Sequence, residues 1–373
     1  MPTKPTVSAT GKTWELPPFD ERLNLALCQR YNLPDIISRL LVNRGITLDT
    51  AEAYLQPSLR SLLPDPSCLL DMDKAVTRVK LALERQEKIV VYGDYDVDGA
   101  CSSALLRLYF SAIGHPIELY IPDRIEEGYG ANSQALQNLH QQGTHLVLMV
   151  DCGTTANEPL THAKNLGLDV IVLDHHTAEP KLPPTTALIN PNRLDQDMAT
   201  ATLLGHLCAA GVTFLFLTAL QRSLRQSHWF SDQKPEPNLL QFLDLVALAT
   251  VCDVMPLTGL NRAFVSQGLK VMRRRQNLGL KTLGEVARIS ESLSPYHLGF
   301  ILGPRINAGG RVGQATMGSC LLTTTDPLQA HTLATQLDQF NQQRQEIEKM
   351  VLEQAIEQIE KQNLHQHPVL LVS

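Results

Sequence analysis

Three short apolar runs, each followed by an acidic loop, constrain the fold of this chain most. Residues 89–92, 146–150 and 170–173 are rich in Val, Ile and Leu, which is typical of buried β-strands. Segments with helical periodicity separate the runs, so the pattern predicts a parallel sheet with right-handed crossover helices. The carboxyl ends of parallel strands lie at one edge of a sheet. We therefore expect the acidic loops to meet at a single crevice.

The fold class that we expect is α/β, a parallel sheet with flanking helices, followed by a helical subdomain and a long connecting helix. A chain of 373 residues is long enough for two or more domains. The apolar runs 203–221 and 239–251 are interpreted as long buried helices. The expected divisions are a leader with short helices over 1–70, an α/β core over 71–200, a mostly helical remainder over 201–325 and a connecting helix over 326–362.

Composition excludes several classes of function. The net charge of −6, from 32 Lys and Arg against 38 Asp and Glu, argues against indiscriminate coating of nucleic acid. Any such binding therefore needs a local basic channel. The seven Cys form no C-x-x-C motif, which suits reduced thiols, and no clean run of about 20 apolar residues or secretory signal is present. We expect a cytoplasmic protein without a membrane span.

The first acidic loop carries three carboxylates at alternate positions, Asp94, Asp96 and Asp98. Like charges at this density repel one another unless a cation neutralises them. The alternative is a calcium loop or a solvated turn, because the spacing is similar to that of an EF-hand. That loop lacks its closing acidic residue here and follows a predicted strand, so a different divalent-metal site is the better interpretation.

Further candidate ligands follow the other two strands and one apolar segment. Asp151 ends the second strand, and Asp174, His175 and His176 end the third. A His pair alone is more often a structural detail, but here it joins the crevice that already holds the acids. Mixed carboxylate and imidazole ligands suit Mn²⁺ or Mg²⁺, whereas zinc is less favoured without thiolates. Asp253 interrupts an apolar segment, and its pattern fits a helix-end cap as well as a metal ligand.

Basic residues near the C-terminal third offer phosphate contacts. Arg305 and Arg311 flank Gly309 and Gly310, which we interpret as a turn that allows the backbone to approach a phosphate. A merely charged loop is the alternative. The run 273–275 of three Arg is more typical of a solvated helix end than of a DNA contact.

Together these motifs resemble the DHH phosphoesterase superfamily in order and spacing. The matching segments are YGDYDVDG at 92–99, VDCG at 150–153, DHH at 174–176 and TVCD at 250–253. Three further segments are similar to the RecJ family of bacterial single-strand-specific exonucleases, namely IPDR at 121–124, EGYG at 127–130 and GPRINAGGR at 303–311. The resemblance covers nearly the whole chain after residue 30.

The resemblance implies a role for each candidate residue. The implied metal ligands, for two ions of Mn²⁺ or Mg²⁺, are Asp94, Asp96, Asp98, Asp151, His175 and Asp253. Asp151 is the implied bridge, His176 the implied phosphate contact, and Asp174 the residue that orients an imidazole. The implied substrate-binding residues are Arg124, Tyr129, Arg305, Asn307 and Arg311. One departure is Tyr92, which stands where many members of the superfamily have a His.

The function that the resemblance implies is 5′→3′ hydrolysis of single-stranded DNA to 5′-mononucleotides in repair and recombination. The implied partners are single-stranded DNA and a single-strand-binding protein or helicase. Residues 363–373 are the expected start of a truncated DHHA1-type domain. The alternatives are a DHH phosphodiesterase of short oligonucleotides or cyclic dinucleotides and a catalytically silent DNA-binding scaffold. The long leader and the 303–311 motif favour the exonuclease, and the retained acids argue against the scaffold.

Overall fold

A five-stranded parallel sheet lies at the centre of the computed structural model, which describes residues 8–13, 15, 17–123, 128, 130–362 and 369. The strands are β1 (Ile89–Tyr92), β2 (Glu118–Tyr120), β3 (Leu146–Val150), β4 (Asp169–Leu173) and β5 (Ala187–Ile189). They pair in the order β2-β1-β3-β4-β5, and every pairing is parallel. The expected α/β fold class is confirmed. Of the five strands, the sequence did not predict the two at the edges of the sheet, which have three residues each.

The α-helices of the described residues alternate with these strands and then continue without them. They are α1 (Glu21–Tyr31), α2 (Asp35–Asn43), α3 (Ala51–Leu55), α4 (Leu59–Leu62), α5 (Met72–Glu84), α6 (Val97–Ala112), α7 (Ser133–Gln141), α8 (Asn157–Asn165), α9 (Met198–Leu204), α10 (Ala209–Gln226), α11 (Leu243–Cys252), α12 (Gly259–Met272), α13 (Leu278–Val286), α14 (Gly303–Val312), α15 (Met317–Thr323) and α16 (Pro327–Lys361). Two 3-10 helices (Pro66–Cys68 and Leu239–Phe242) and a π-helix (His297–Leu302) complete the set.

The sheet is covered by helices on both faces. On one face, alternate strand residues such as Val147 and Val172 pack against α7 and α8 through Leu136 and Leu160. On the other face, α5, α6 and α10 contact the strands. Burial on both sides explains why the inner strands are apolar at every position rather than at alternate ones.

The strand order places a topological switch point between β1 and β3. From these two neighbouring strands the chain continues to opposite sides of the sheet, which opens a crevice beyond their carboxyl ends. The loops that carry Asp94, Asp96 and Asp151 therefore start on either side of this crevice. Topology alone brings the acidic residues together.

The predicted helix over 203–221 is wrong as a single element. α9 ends at Leu204, and α10 begins at Ala209 with its axis turned by 115°. The reason is Asp98, whose two carboxylate oxygens accept the main-chain N–H groups of Ala209 at 2.6 Å and Ala210 at 2.8 Å. The carboxylate thus fixes a new helix start at this position. The second apolar run begins with four residues of 3-10 helix before α11.

The predicted turn at Gly309 and Gly310 is also wrong, because both residues lie inside α14. Their lack of a side chain serves close packing. A Cβ at Gly310 would lie 2.2 Å from Cδ2 of Tyr95, and one at Gly309 would lie 2.7 Å from Cδ2 of Leu337. α14 is therefore pressed against the first acidic loop and against α16.

The long helix predicted near the C-terminus is present as α16, which has 35 residues. The side chain of Asp326 accepts the N–H of Leu328 at its start. The strand expected within 363–373 lies outside the described residues, apart from the exposed Val369.

The chain divides into two compact units, Met1–Leu62 and Leu63–Ser373. The first contains α1 to α4 and has a small apolar core formed by Leu27, Leu41, Ile46 and Ala51. The finer domain boundaries stay predictions. Within the described part of the chain no single helix is long and apolar enough to cross a membrane, and only the bent pair α9 and α10 passes that test jointly.

Candidate metal centre

The loop after β1 arranges its carboxylates through local hydrogen bonds. Asp96 is the N-cap of α6, and its Oδ1 accepts the N–H of Gly99 at 2.9 Å. Oδ1 of Asp94 accepts the N–H of Tyr95 at 2.7 Å. A Cβ at Gly99 would lie 2.5 Å from the carbonyl oxygen of Asp94, so only glycine lets α6 begin this close to the loop.

Asp98 lies in the first turn of α6 and is 1% exposed. Its hydrogen bonds from the start of α10 offset part of its charge, because the N-terminus of a helix carries a partial positive charge. Burial nevertheless raises the pKa of Asp98 well above its usual value, and the nearby charges of Asp253 and Asp96 raise it further.

Asp151 follows β3 directly and has a left-handed backbone, with φ of 60°. Burial raises the pKa of its carboxyl well above the usual value, and the carboxylates of Asp98 and Asp96 add to this. Val254, next to Asp253, has φ of 57°, which is an outlier for a β-branched residue. A left-handed backbone at one candidate ligand, and at the residue next to another, is typical of a functional site.

His175 lies close to three acidic residues from separate segments of the chain. Its Nε2 lies 3.3 Å from Oδ1 of Asp151, 3.6 Å from Oδ2 of Asp253 and 3.8 Å from Oδ2 of Asp98. Burial lowers the pKa of His175, and the neighbouring His176 lowers it further. The neutral ring therefore offers a lone pair, as a metal ligand must.

Asp253 is the C-cap residue of α11, so the helix-end position and the candidate ligand coincide. Its Oδ2 is buried and accepts no hydrogen bond from the described residues. Burial raises the pKa of its carboxyl to about 6. Burial of a carboxylate oxygen without a hydrogen-bond donor costs free energy unless a cation binds it. This oxygen is therefore a suitable ligand for a divalent ion.

Asp174 and His176 form a separate pair beside this cluster. Oδ1 of Asp174 lies 2.7 Å from Nδ1 of His176, and Oδ2 accepts the N–H of Thr154 at 3.1 Å. Burial opposes the ionised form of Asp174, but the hydrogen bonds from His176 and Thr154 outweigh it and hold the pKa of this carboxyl well below its usual value. The same hydrogen bond raises the pKa of His176 to about 9.

The sequence did not predict the residues that bind the main chain of the two histidines. Nδ2 of Asn192 donates to the carbonyl oxygen of His175 at 2.6 Å, and Nδ2 of Asn190 donates to that of His176 at 2.8 Å. Both Asn follow β5, the edge strand that the sequence also missed. The only available signal was the polar N-P-N at 190–192 after a short apolar run.

The candidate ligands form adjacent groups that fit metal ions. In each group one donor atom per residue lies within 4.8 Å of all the others. The groups are Asp94 with Asp96 and Asp151, Asp98 with His175 and Asp253, and Asp151 with Asp174, His175 and His176. Oxygen donors with an imidazole nitrogen suit Mn²⁺ and Mg²⁺.

The residues expected to bind substrate have different surroundings. Oδ1 of Asn307 accepts the N–H of Val97 at 3.0 Å, which ties α14 to the acidic loop. Nε of Arg305 donates to Asp338 at 2.8 Å, and Nη1 donates to the carbonyl oxygen of Ile301 at 2.8 Å. Arg311 is exposed to solvent.

Three other expectations concern the entry side of the crevice. Tyr92, which stands in place of a histidine, is fully buried, and its hydroxyl donates to the carbonyl oxygen of Gly130 at 3.0 Å. Arg124 and Tyr129 lie outside the described residues.

Comparison with protein families and curated proteins gives a consistent result. The model of the DHH family, N-terminal domain, matches residues 88–250. The single-stranded-DNA-specific exonuclease RecJ of Bacillus subtilis is 33% identical over 97% of this chain and 44% of its own length. RecJ of Escherichia coli is 38% identical over 88% of this chain and 56% of its own length. The chain thus spans about half the length of these curated relatives.

Solved structures agree with this result. A crystal structure of exonuclease RecJ bound to manganese has a TM-score of 0.68 and 33% identity, covering 78% of this chain and 70% of that one. RecJ of Thermus thermophilus in complex with Mn²⁺ has a TM-score of 0.75 and 30% identity, covering 92% of this chain and 47% of that one.

Proposed function

The chain belongs to the RecJ family of DHH proteins, and from this premise we propose that it is a metal-dependent exonuclease of single-stranded DNA. The proposed reaction is 5′→3′ hydrolysis to 5′-mononucleotides, in cytoplasmic DNA repair and recombination. The observation that supports it most is the cluster around Nε2 of His175, where three carboxylates from separate segments of the chain lie within 3.8 Å of one imidazole nitrogen.

We propose two metal positions within this cluster. Asp94, Asp96 and Asp151 would hold one ion, and Asp98, His175 and Asp253 the other. The 3.3 Å contact between Asp151 and His175 supports Asp151 as the residue shared between them. Divalent ions bound here would supply a nucleophilic water and stabilise the charge on the leaving oxygen.

The proposed role of His176 is to bind the scissile phosphate. Its pKa of about 9 keeps the ring protonated at neutral pH, and its side chain is 46% exposed. Asp174 takes Nδ1, which leaves Nε2 to donate to a phosphate oxygen. Asp174 would therefore be a positioning residue that fixes both the charge and the direction of the imidazole.

The proposed DNA surface continues along α14. Arg311 is exposed, and Asn307 lies at the acidic loop itself. Arg305 uses Nε and Nη1 within the protein, so Nη2 is the atom proposed for a phosphate contact. For Arg124 and Tyr129 the proposal rests on family resemblance alone, which assigns them to reception of the 5′ end.

The test uses a single strand labelled at its 5′ end and the same strand labelled at its 3′ end. We expect Mn²⁺-dependent release of the 5′ label as a mononucleotide, with the duplex form of the strand resistant and a chelator abolishing the reaction. Asp151→Asn should lose this activity, and Asp232→Asn, at an exposed position away from the cluster, is its matched control. Release of the 3′ label first, or preference for a cyclic dinucleotide, would contradict the proposal.

The proposed partners beyond DNA are a single-strand-binding protein or a helicase, since either would supply single strands to such an enzyme. Adding each purified protein to the nuclease assay tests this. A stimulated rate on long strands supports the proposal, and an unchanged rate with both contradicts it.

A further inference from the structure

A separate cavity lies at the opposite end of α11 from the metal centre. Its volume is about 380 Å³, within the range of small-ligand sites. Asp244 lies in its wall, nine residues before Asp253, which corresponds to about 14 Å along a helix. Other residues of the wall come from the end of α12, from α13 and from the loop that follows α13. The cavity is therefore distinct from the proposed catalytic crevice.

Asp244 is a buried carboxyl without a cation. Its side chain belongs to a residue that is only 4% exposed, and Oδ1 accepts the N–H of Leu245 at 2.8 Å. Apart from the main-chain N–H groups of Leu245 and of Asp244 itself, no described residue donates a hydrogen bond to this carboxyl group, and burial raises its pKa to about 7. An acid in the first turn of a helix is favourable, but both donors are local main-chain groups, and no side chain of the described residues donates to this carboxyl group in the wall of the cavity. The geometry calls for a ligand that donates hydrogen bonds to it.

The mouth of the cavity is basic. Arg273, Arg275 and Lys281 line it and are exposed. Arg275 pairs with Glu285 at 2.6 Å, whereas Arg273 and Lys281 form no ion pair with the residues that the structure describes. The acidic residue of the mouth, Glu291, lies 3.1 Å from His297. Two cations thus remain for an anionic group of the ligand.

The remaining wall is apolar. Met272 and Leu280 are each 5% exposed, and Ile289 and Leu293 complete this part of the lining. Such a wall suits a flat aromatic ring. From its buried to its exposed residues, the lining of the cavity therefore consists of a hydrogen-bond acceptor, an apolar wall and a pair of cations.

We propose that this cavity binds a guanine mononucleotide. The base would lie between the apolar side chains and donate N1–H and N2–H to Asp244, while its phosphate would lie at Arg273 and Lys281. Guanine presents two adjacent donors, which match a carboxylate as a guanidinium does. Adenine presents an acceptor, N1, beside its amino group, and this nitrogen would face the carboxylate unfavourably.

The direct test is calorimetric titration of the full chain with guanosine 5′-monophosphate and adenosine 5′-monophosphate. A chelator is present, so that no divalent ion at the metal centre binds the phosphate of either nucleotide. We expect the guanine nucleotide to bind at least tenfold more tightly than the adenine nucleotide. Absence of binding, or equal affinity for the two nucleotides, would overturn the proposal.

Substitution of Asp244 tests the base contact. Asp244→Asn replaces an acceptor with a donor at constant size, and we expect at least a tenfold loss of affinity for guanosine 5′-monophosphate. Asp232→Asn is the matched control and should bind as the wild type does. Unchanged affinity in Asp244→Asn removes the carboxylate from the site.

A second variant tests the location without touching the carboxyl group. A Cβ at Gly284 would meet no heavy atom within 4 Å, so a side chain can start here without a clash, and Gly284→Leu adds bulk to the wall of the cavity and suits the interior of α13. We expect the variant to lose nucleotide binding while its melting temperature does not fall. Wild-type affinity in this variant would place the nucleotide elsewhere.

The phosphate contact is tested by the double variant Arg273→Ala with Lys281→Ala. We expect its affinity for guanosine 5′-monophosphate to fall about threefold to tenfold, and its affinity for guanosine, which has no phosphate, to stay the same. An equal loss for both ligands would contradict the assignment of the mouth to the phosphate.

Discussion

Carboxylates cluster in two regions of this protein with opposite surroundings. At the edge of the sheet, Arg78 lies between Glu87 and Asp169, with both nitrogen–oxygen distances at 2.6 Å. In the candidate metal centre, Asp151 and Asp253 have no such guanidinium among the described residues, and an imidazole of lowered pKa is their shared neighbour. The first region holds a guanidinium of the protein between its carboxylates, whereas the second requires a cation from solution.

This difference separates structural from functional charge. A paired carboxylate stabilises the fold, and removing its partner leaves a buried charge behind. A carboxylate that lacks an internal partner carries a cost in the free protein and gains from ligand binding. The two regions should therefore respond oppositely to neutralisation and to metal.

The largest expected effect is on hydrolysis by Asp151→Asn. Loss of the shared carboxylate should remove several kcal/mol of metal-derived stabilisation of the transition state, equivalent to a rate loss of about 10³-fold or more. In metal-free buffer the melting temperature should not fall, because the change relieves repulsion with Asp96 and Asp98. Turnover at the wild-type rate, measured with Mn²⁺ at saturating substrate, would remove Asp151 from the site.

Removal of the cation from the paired region should act on stability instead. Arg78→Met leaves Glu87 with only Arg85, at 3.7 Å, and leaves Asp169 with the hydroxyl of Thr186, so we expect the free energy of unfolding to fall by about 2–3 kcal/mol. Urea denaturation measures this change, and hydrolysis per folded molecule should stay at the wild-type level. A loss below about 1 kcal/mol would show that this pair contributes no more than an exposed one.

Metal should stabilise only the cation-deficient region. Mn²⁺ at 100 times its dissociation constant should raise the free energy of unfolding by about 2.7 kcal/mol. The increase should persist in Arg78→Met, when measured relative to that variant without metal, and should be much smaller in Asp151→Asn. An equal increase in both variants would place the metal outside the cluster.

The smallest expected effect concerns Asp244, a buried carboxyl with no guanidinium partner among the described residues and no proposed metal. Its pKa is about 7 in the folded protein and near 3.8 in the unfolded chain, so the folded state binds more protons between these values. Stability should therefore fall as pH rises through this window and level off above pH 7. Relative to Asp244→Asn, the wild type should lose about 2 kcal/mol between pH 5.5 and pH 7. Parallel pH profiles in urea denaturation would contradict this.

The sequence predicted the parts of the fold that bury continuous apolar runs. β1, β3 and β4 are covered on both faces, and this makes them recognisable without any other information. β2 and β5 escaped prediction because three residues carry no periodicity. The acids of the site were visible because a carboxylate after a buried strand has few structural explanations.

Two kinds of error have a physical origin in the ambiguity of single residues. Glycine signals a turn and also close packing, and at Gly310 the neighbouring ring of Tyr95, distant in sequence, decides between them. Asn190 and Asn192 donate hydrogen bonds to main-chain carbonyl groups. Every residue has such a group, so the sequence does not show which one is the acceptor. Contacts of this kind become visible only when the chain is folded.

The long helix α16 has a mechanical consequence for the acidic loop. Its buried residues end at Asn341, so its last 20 residues, about 30 Å of helix, extend from the packed half as an arm. The packed half contacts α14 through Asp338 and Arg305, and α14 holds the acidic loop through Asn307 and Val97. A force that acts on the exposed arm would therefore reach the acidic loop through α14, by way of these two contacts.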